Sequence, residues 1–250
     1  MSEKLRVLIV DDDRRMTHTL ADILTASGCR PGEAWSAEQA LEMVDSEVFD
    51  CILSDIRMPG LSGVELHREV RRILPGVPVL LMTAYAAEYH ISQGLEEGVI
   101  GVLDKPIDIR LLIELLATLN RMRTVAVVDD DPDFCRTMGE ILAYRGFQVT
   151  TISDPHAAVE QMAGEANFLL LDMKLNDISG FDVLRKIRGR YPALPVVLIT
   201  GHRQEMAPVV RQALGLGACT CLYKPLVVAE LLGKLGDIRA EQLKGILRTR

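Results

Sequence analysis

Two sets of side chains with the makings of phosphoryl chemistry occur in this chain, in the same order and at almost the same spacing. The first set is an acidic pair after an apolar run (Asp11 and Asp12 in VLIVDDD) and a lone aspartate closing a second run (Asp55). A threonine closes a third (Thr83), and a Lys-Pro follows a fourth (Lys105, Pro106). The second set is Asp129 and Asp130, Asp172, Thr200, and Lys224 with Pro225, at offsets of 118, 117, 117 and 119 residues from the first. Three carboxylates in one crevice cannot all stay ionised without positive charge nearby. One lysine and one divalent cation would balance them, and Mg²⁺ suits a site of few carboxylates plus water and phosphate oxygens. A carboxylate beside such a cation is a nucleophile toward phosphorus, giving an aspartyl phosphate. That product replaces one negative charge by about two, a surplus able to draw in the lysine ammonium and a threonine hydroxyl.

These residues need a scaffold that brings distant positions together. The repeat sets the domain count first, and 250 residues divide into two domains of ordinary size. Short apolar runs alternate with amphipathic segments in each half, the pattern of a parallel sheet with helical crossovers. Strands are expected near 5–10, 31–35, 49–54, 77–82 and 99–104, and again near 124–128, 147–152, 167–171, 194–199 and 218–223. Runs such as LRVLIV and VPVLLM are continuously apolar, as for strands covered on both faces. In a doubly wound sheet, functional groups collect at the carboxyl ends of strands. Every member of both sets falls there.

The first helix of each half shows the duplication in its packing face: Met16, Leu20, Ile23 and Leu24 match Phe134, Met138, Ile141 and Leu142. Gly28 and Gly146 follow these helices as C-caps. Ser36-x-x-Gln39 resembles a capping box, and Asp154-Pro155 supplies a cap and a first-turn proline. About four residues (roughly 120–123) join the halves, which predicts a restricted relative orientation. The preceding helix is apolar at Ile109, Leu111, Leu112, Ile113, Leu115, Leu116 and Leu119. That stripe is wider than one sheet face needs; it reads either as burial within one domain or as an interdomain or homodimer contact, and both readings stay open. After Pro225, LVVAELLGKL completes the last helix and GDIRAEQLKGILRTR forms a short amphipathic tail. No output domain is expected there.

On these residues each half resembles a receiver domain of a two-component response regulator. The resemblance implies an α/β fold: two flavodoxin-like, doubly wound, five-stranded parallel-sheet domains in tandem, at 1–120 and at 124–250 with the helical tail. It implies that Asp55 and Asp172 accept the phosphoryl group, and that Asp11, Asp12, Asp129 and Asp130 hold Mg²⁺ with them. The backbone carbonyls of Arg57 and Lys174 would complete the protein ligands. Thr83 and Thr200 would be switch hydroxyls, and Lys105 and Lys224 would bind the phosphoryl group. Pro106 and Pro225 match a position where the family often has a cis bond.

Several positions depart from that pattern. The usual aromatic switch residue, three before the lysine, is Val102 in one half and Cys221 in the other. The segment AEYHISQGLEEG is a poor helix. Asn176 stands where the first half has Pro59, and the second half has two extra residues between Thr200 and Lys224. Residues that tune phosphoryl lifetime in the family correspond to Arg57 and Tyr85 in one half, Lys174 and His202 in the other.

Composition narrows the class. A net charge of −7, from 35 acidic and 28 basic residues, offers no domain-wide basic surface for nucleic acid. No apolar stretch is long enough to span a membrane, and the N-terminus lacks signal-peptide architecture; a cytoplasmic location is expected. Five scattered cysteines, including the Cys219-x-Cys221 pair, lack zinc-site spacing. The expected function is a two-receiver response regulator, phosphorylated by a histidine kinase or phosphotransfer protein and signalling to a downstream protein of unknown identity. It is expected not to be an enzyme beyond self-phosphorylation and dephosphorylation. The alternative is a phosphorelay intermediate or phosphate sink. A DNA-binding regulator fits poorly, and a haloacid-dehalogenase-type phosphatase fits only the superficial Asp11-x-Asp13 pattern.

Overall fold

A computed structural model describes residues 4–84, 98–162 and 166–248. The chain forms two compact units, one of Met1–Asn120 with Leu232–Arg250 and the other of Arg121–Leu231.

The first unit holds strands β1 (Arg6–Val10), β2 (Arg30–Ala34), β3 (Cys51–Asp55), β4 (Val79–Thr83) and β5 (Gly101–Asp104), in the spatial order β2-β1-β3-β4-β5. The second holds β6 (Thr124–Val128), β7 (Gln148–Ile152), β8 (Phe168–Asp172), β9 (Val196–Thr200) and β10 (Thr220–Tyr223), in the equivalent order β7-β6-β8-β9-β10. Every pairing is parallel. The ten expected strands are present, shifted by no more than two residues.

Burial follows position in the sheet. All residues of β3, β4, β8 and β9 are buried, whereas the edge strand β2 is mostly half-exposed and the edge strand β7 mostly exposed. Each fully buried Ile or Leu of the inner strands contributes about 1.5–3 kcal/mol. The helix Arg14–Ala26 is rotated slightly from its expected face: Thr17, Leu20, Ala21 and Leu24 are buried, and Met16 and Ile23 lie at the margin. The wide stripe of helix Ile109–Arg121 resolves similarly, with Leu112, Leu115, Leu116 and Leu119 buried in the described structure.

Helix ends show where local chemistry was read well and where it was not. Gly28 and Gly146 adopt φ of 85° and 80°, the left-handed C-cap expected of them. Ser36 accepts from Gln39 N–H at 3.3 Å, but the Gln39 side chain caps Trp35 N–H rather than Ser36. The reciprocal capping box forms instead at Ser62 and Glu65, opening helix Gly63–Ile73. Asp154, with Pro155 in the first turn as expected, caps a 3₁₀ turn, Pro155–Ala157, that runs on into the short helix Ala158–Gln161.

The final segment is one continuous helix, Val228–Arg248, rather than a helix followed by a tail. Its residues from Leu232 onward count with the first unit. There Asp237 pairs with Arg71 at 3.4 Å, and Leu247 sits against Gly101. A Cβ on Gly236 would fall 2.7 Å from the Gly76 carbonyl oxygen, so this crossing admits no side chain.

Candidate functional site

Parallel strands place all their carboxyl ends on one side of a sheet, and that side carries the repeated residues. Asp55 and Thr83 are the last residues of β3 and β4; Asp11 follows β1, and Lys105 follows β5. Asp172, Thr200, Asp129 and Lys224 occupy the same places around β8, β9, β6 and β10. Both Lys-Pro bonds are cis.

The DDD runs divide into three roles. Asp11 and Asp129 are buried at 1% exposure, while Asp12 is exposed and Asp130 half-exposed. The third aspartate is a helix cap: Asp13 accepts from the N–H of Arg15 and Met16, and Asp131 from Asp133 and Phe134. That assignment removes Asp13 from the chemistry and with it the phosphatase-like Asp11-x-Asp13 reading. Asp11 Oδ1 accepts from Asp13 N–H and Asp129 Oδ1 from Asp131 N–H, both at 3.0 Å.

A lysine clamp joins the carboxylates in each unit. Lys105 Nζ lies 2.6 Å from Asp11 Oδ2 and 2.7 Å from Asp55 Oδ1. Lys224 Nζ lies 2.7 Å from Asp129 Oδ2 and 2.6 Å from Asp172 Oδ2. Burial opposes the charge on both lysines, but hydrogen bonds to the two aspartates outweigh it and hold each pKa above the ordinary lysine value. Burial likewise raises the Asp55 carboxyl above the usual carboxylate range, against the pull of Lys105. Asp129 is raised for the same first reason. Lys224 also sits 4.2 Å from the Phe134 ring centroid, a cation–π contact; Met16 is the matching residue in the first half.

Asp55 and Asp172 are also held by the backbone that follows them. Arg57 N–H donates to Asp55 Oδ2 at 3.2 Å, and Lys174 N–H to Asp172 Oδ1 at 2.9 Å. Gly63 and Gly180 pack directly on the backbone carbonyls of Asp55 and Asp172. Sequence reasoning passed over these glycines. Their signal was available, since they recur at the offset of 117 shared by the aspartates and threonines.

The threonines are buried at the rim, and Thr200 Oγ1 accepts from His202 N–H at 3.2 Å. Val102 and Cys221, three residues before each lysine, are both half-buried. Lys174 and His202 share one carboxylate partner: Glu205 lies 3.5 Å from Lys174 Nζ and 3.3 Å from His202 Nδ1. Tyr85 and most of the AEYHISQGLEEG segment lie outside the described residues.

Asp11, Asp12 and Asp55 each offer an oxygen within 4.8 Å of the others, a hard-oxygen donor set that fits Mg²⁺; among the described residues no other trio is so gathered. In the second unit Asp130 Oδ2 accepts from Asn176 N–H at 2.8 Å.

Two doubly wound sheets, each with two buried aspartates, a threonine and a lysine at the strand ends, define a tandem receiver protein. The model of the response regulator receiver domain matches residues 7–117 and 125–236, and the chain belongs to that family. It is 34% identical over 237 residues to a response regulator receiver protein of Anaeromyxobacter sp. (strain Fw109-5), covering 95% of this chain and 96% of that one. It is 38% identical over 112 residues to the response regulator protein FleR of Pseudomonas aeruginosa, covering 45% of this chain but 24% of FleR. Among solved structures it resembles the chemotaxis response regulator CheY4 of Vibrio cholerae, at 27% identity and a TM-score of 0.44, covering 47% of this chain and 99% of that one. Among the described residues, no helix is long and apolar enough to cross a membrane.

Proposed function

We propose that the chain is a response regulator that accepts phosphoryl groups on both Asp55 and Asp172, in a Mg²⁺-dependent reaction, and signals through protein contacts. The observation that carries this reading is the lysine clamp, present in both units, bridging a buried aspartate to an acceptor aspartate within 2.7 Å. The donor is a phosphohistidine of a histidine kinase or phosphotransfer protein. An Asp55 or Asp172 oxygen attacks phosphorus, the P–N bond breaks, and the imidazole leaves with the electron pair. Asp11, Asp12, Asp55 and the Arg57 carbonyl would hold Mg²⁺ in the first unit, and Asp129, Asp130, Asp172 and the Lys174 carbonyl in the second. The cation supplies positive charge to the transferring phosphoryl oxygens. Lys105 and Lys224, already beside the acceptors, stay to pair with the added charge, and Thr83 and Thr200 offer it a hydroxyl. The chain contributes no other catalysis than this self-modification and its reversal.

The test is labelling with acetyl phosphate and Mg²⁺, read by intact mass. Wild type is expected to gain two phosphoryl groups, Asp55→Ala or Asp172→Ala one, and the double variant none. Absence of label from every form would overturn the reading. The two sites are also expected to lose phosphate at different rates. Glu205 pairs with both Lys174 and His202 in the second unit, and the matching sequence positions of the first half are Arg57 and Tyr85. Half-lives measured on the two single-aspartate variants check this, and equal values count against it.

A further inference from the structure

The two metal-binding corners differ in one backbone donor. Both count three carboxylates and one lysine, so formal charge does not distinguish them. In the first unit the oxygens of Asp11, Asp12 and Asp55 are gathered within 4.8 Å; Asp129, Asp130 and Asp172 are not so gathered among the described residues. The second unit instead directs Asp130 Oδ2 to the backbone N–H of Asn176 at 2.8 Å. The loop presenting that N–H is pinned by an antiparallel bridge between Lys174 and Ser179, the one isolated bridge among the described residues.

The matching residue in the first unit is Pro59, four past its acceptor as Asn176 is four past Asp172. Proline has no N–H. The donor that holds Asp130 therefore has no counterpart facing Asp12, and the cause is covalent.

We infer that the Asn176 N–H competes with divalent cation for Asp130, so that the second receiver binds Mg²⁺ more weakly than the first and the two become competent at different cation concentrations. Asn176 acts here as a positioning residue, through its backbone. The inference rests on the proposed Mg²⁺ chemistry. Opening one exposed hydrogen bond to a carboxylate should cost a factor of roughly 3 to 10 in affinity. A chain saturated at one site and partly loaded at the other would pass phosphoryl groups to Asp55 first.

A Mg²⁺ titration of the full chain, followed by residue-resolved amide NMR, reads both sites at once without any phosphoryl donor. The Arg57 and Lys174 amides, each bonded to its acceptor aspartate, report the two sites. Arg57 is expected to reach its midpoint at lower Mg²⁺ than Lys174, and the Asn176 amide to shift together with Lys174 as its bond opens. Asn176→Pro is expected to bring the Lys174 midpoint down toward that of Arg57, whereas Asn176→Ala retains the donor and the weaker midpoint. Should Asn176→Pro not fold, Pro59→Ala supplies an N–H to the first loop and is expected to raise the Arg57 midpoint. Equal midpoints in wild type, an Asn176→Ala effect as large as that of Asn176→Pro, or an unmoved Pro59→Ala midpoint overturns the inference while leaving Mg²⁺ binding intact. No response at either amide overturns the metal reading itself, and the inference with it.

Discussion

Lys105→Met is expected to destabilise the metal-free first unit by about 3 kcal/mol near neutral pH, the cost of removing one partner from a buried ion pair. Asp11 and Asp55, at 1% and 7% exposure, would be left facing each other with no cation between them. Trp35 is the sole tryptophan and lies in the first unit, so its fluorescence during urea unfolding reports that unit. The Trp35 transition should move to lower urea in Lys105→Met and hold its position in Lys224→Met. The pH dependence follows from the shifts. A lysine whose pKa is raised on folding contributes stability that is complete below its ordinary value and lost as pH rises through the raised one. On the acid side, burial makes Asp55 take up its proton at higher pH than an ordinary carboxylate, against the pull of Lys105, which ends the pairing early. The difference between wild type and variant should therefore peak between those two ranges and shrink toward both. A Trp35 midpoint insensitive to Lys105→Met contradicts the clamp as an energetic contact.

Gly180→Ala should damage the second site through its backbone. A Cβ there would land on the Asp172 carbonyl oxygen and 2.6 Å from Met173 Cα, atoms that cannot turn aside as a side-chain tip can. Forced overpacking of this kind costs about 1–3 kcal/mol, and here the strain falls on the strand end that aims Asp172. Label at Asp172 should drop while label at Asp55 persists. Gly189→Ala, in the same helix but with no atom within 4 Å of a new Cβ, is the matched control. It should leave labelling intact and stabilise by up to about 1 kcal/mol through helix propensity. Equal behaviour of the two variants would remove Gly180 from the site.

Much of this arrangement was legible in the residues alone, for identifiable reasons. Buried parallel strands announce themselves as apolar runs, and a residue's position at the end of a run says on which side of the sheet it emerges. Asp55, Thr83 and their counterparts were readable in that way. The capping of helices by Asp13 and Asp131 was hidden because three adjacent aspartates look alike until the backbone separates a buried one, an exposed one and a cap. Gly63 and Gly180 were hidden because a close backbone approach is a property of two distant segments, and only the repeat hinted at it. The Asp130–Asn176 bond was hidden more deeply: it depends on a main-chain donor, which every residue but proline carries. The Pro59-to-Asn176 difference was visible as a loop difference, and its electrostatic meaning was not.

The helix Val228–Arg248 gives the duplication an unexpected order in time. Because Leu232–Arg250 belongs with the first unit, that unit is written in two pieces, one before and one after the second unit. A ribosome emitting this sequence delivers every residue of the second unit before the last contacts of the first, such as Leu247 against Gly101. The unit that begins first is completed after the one it precedes.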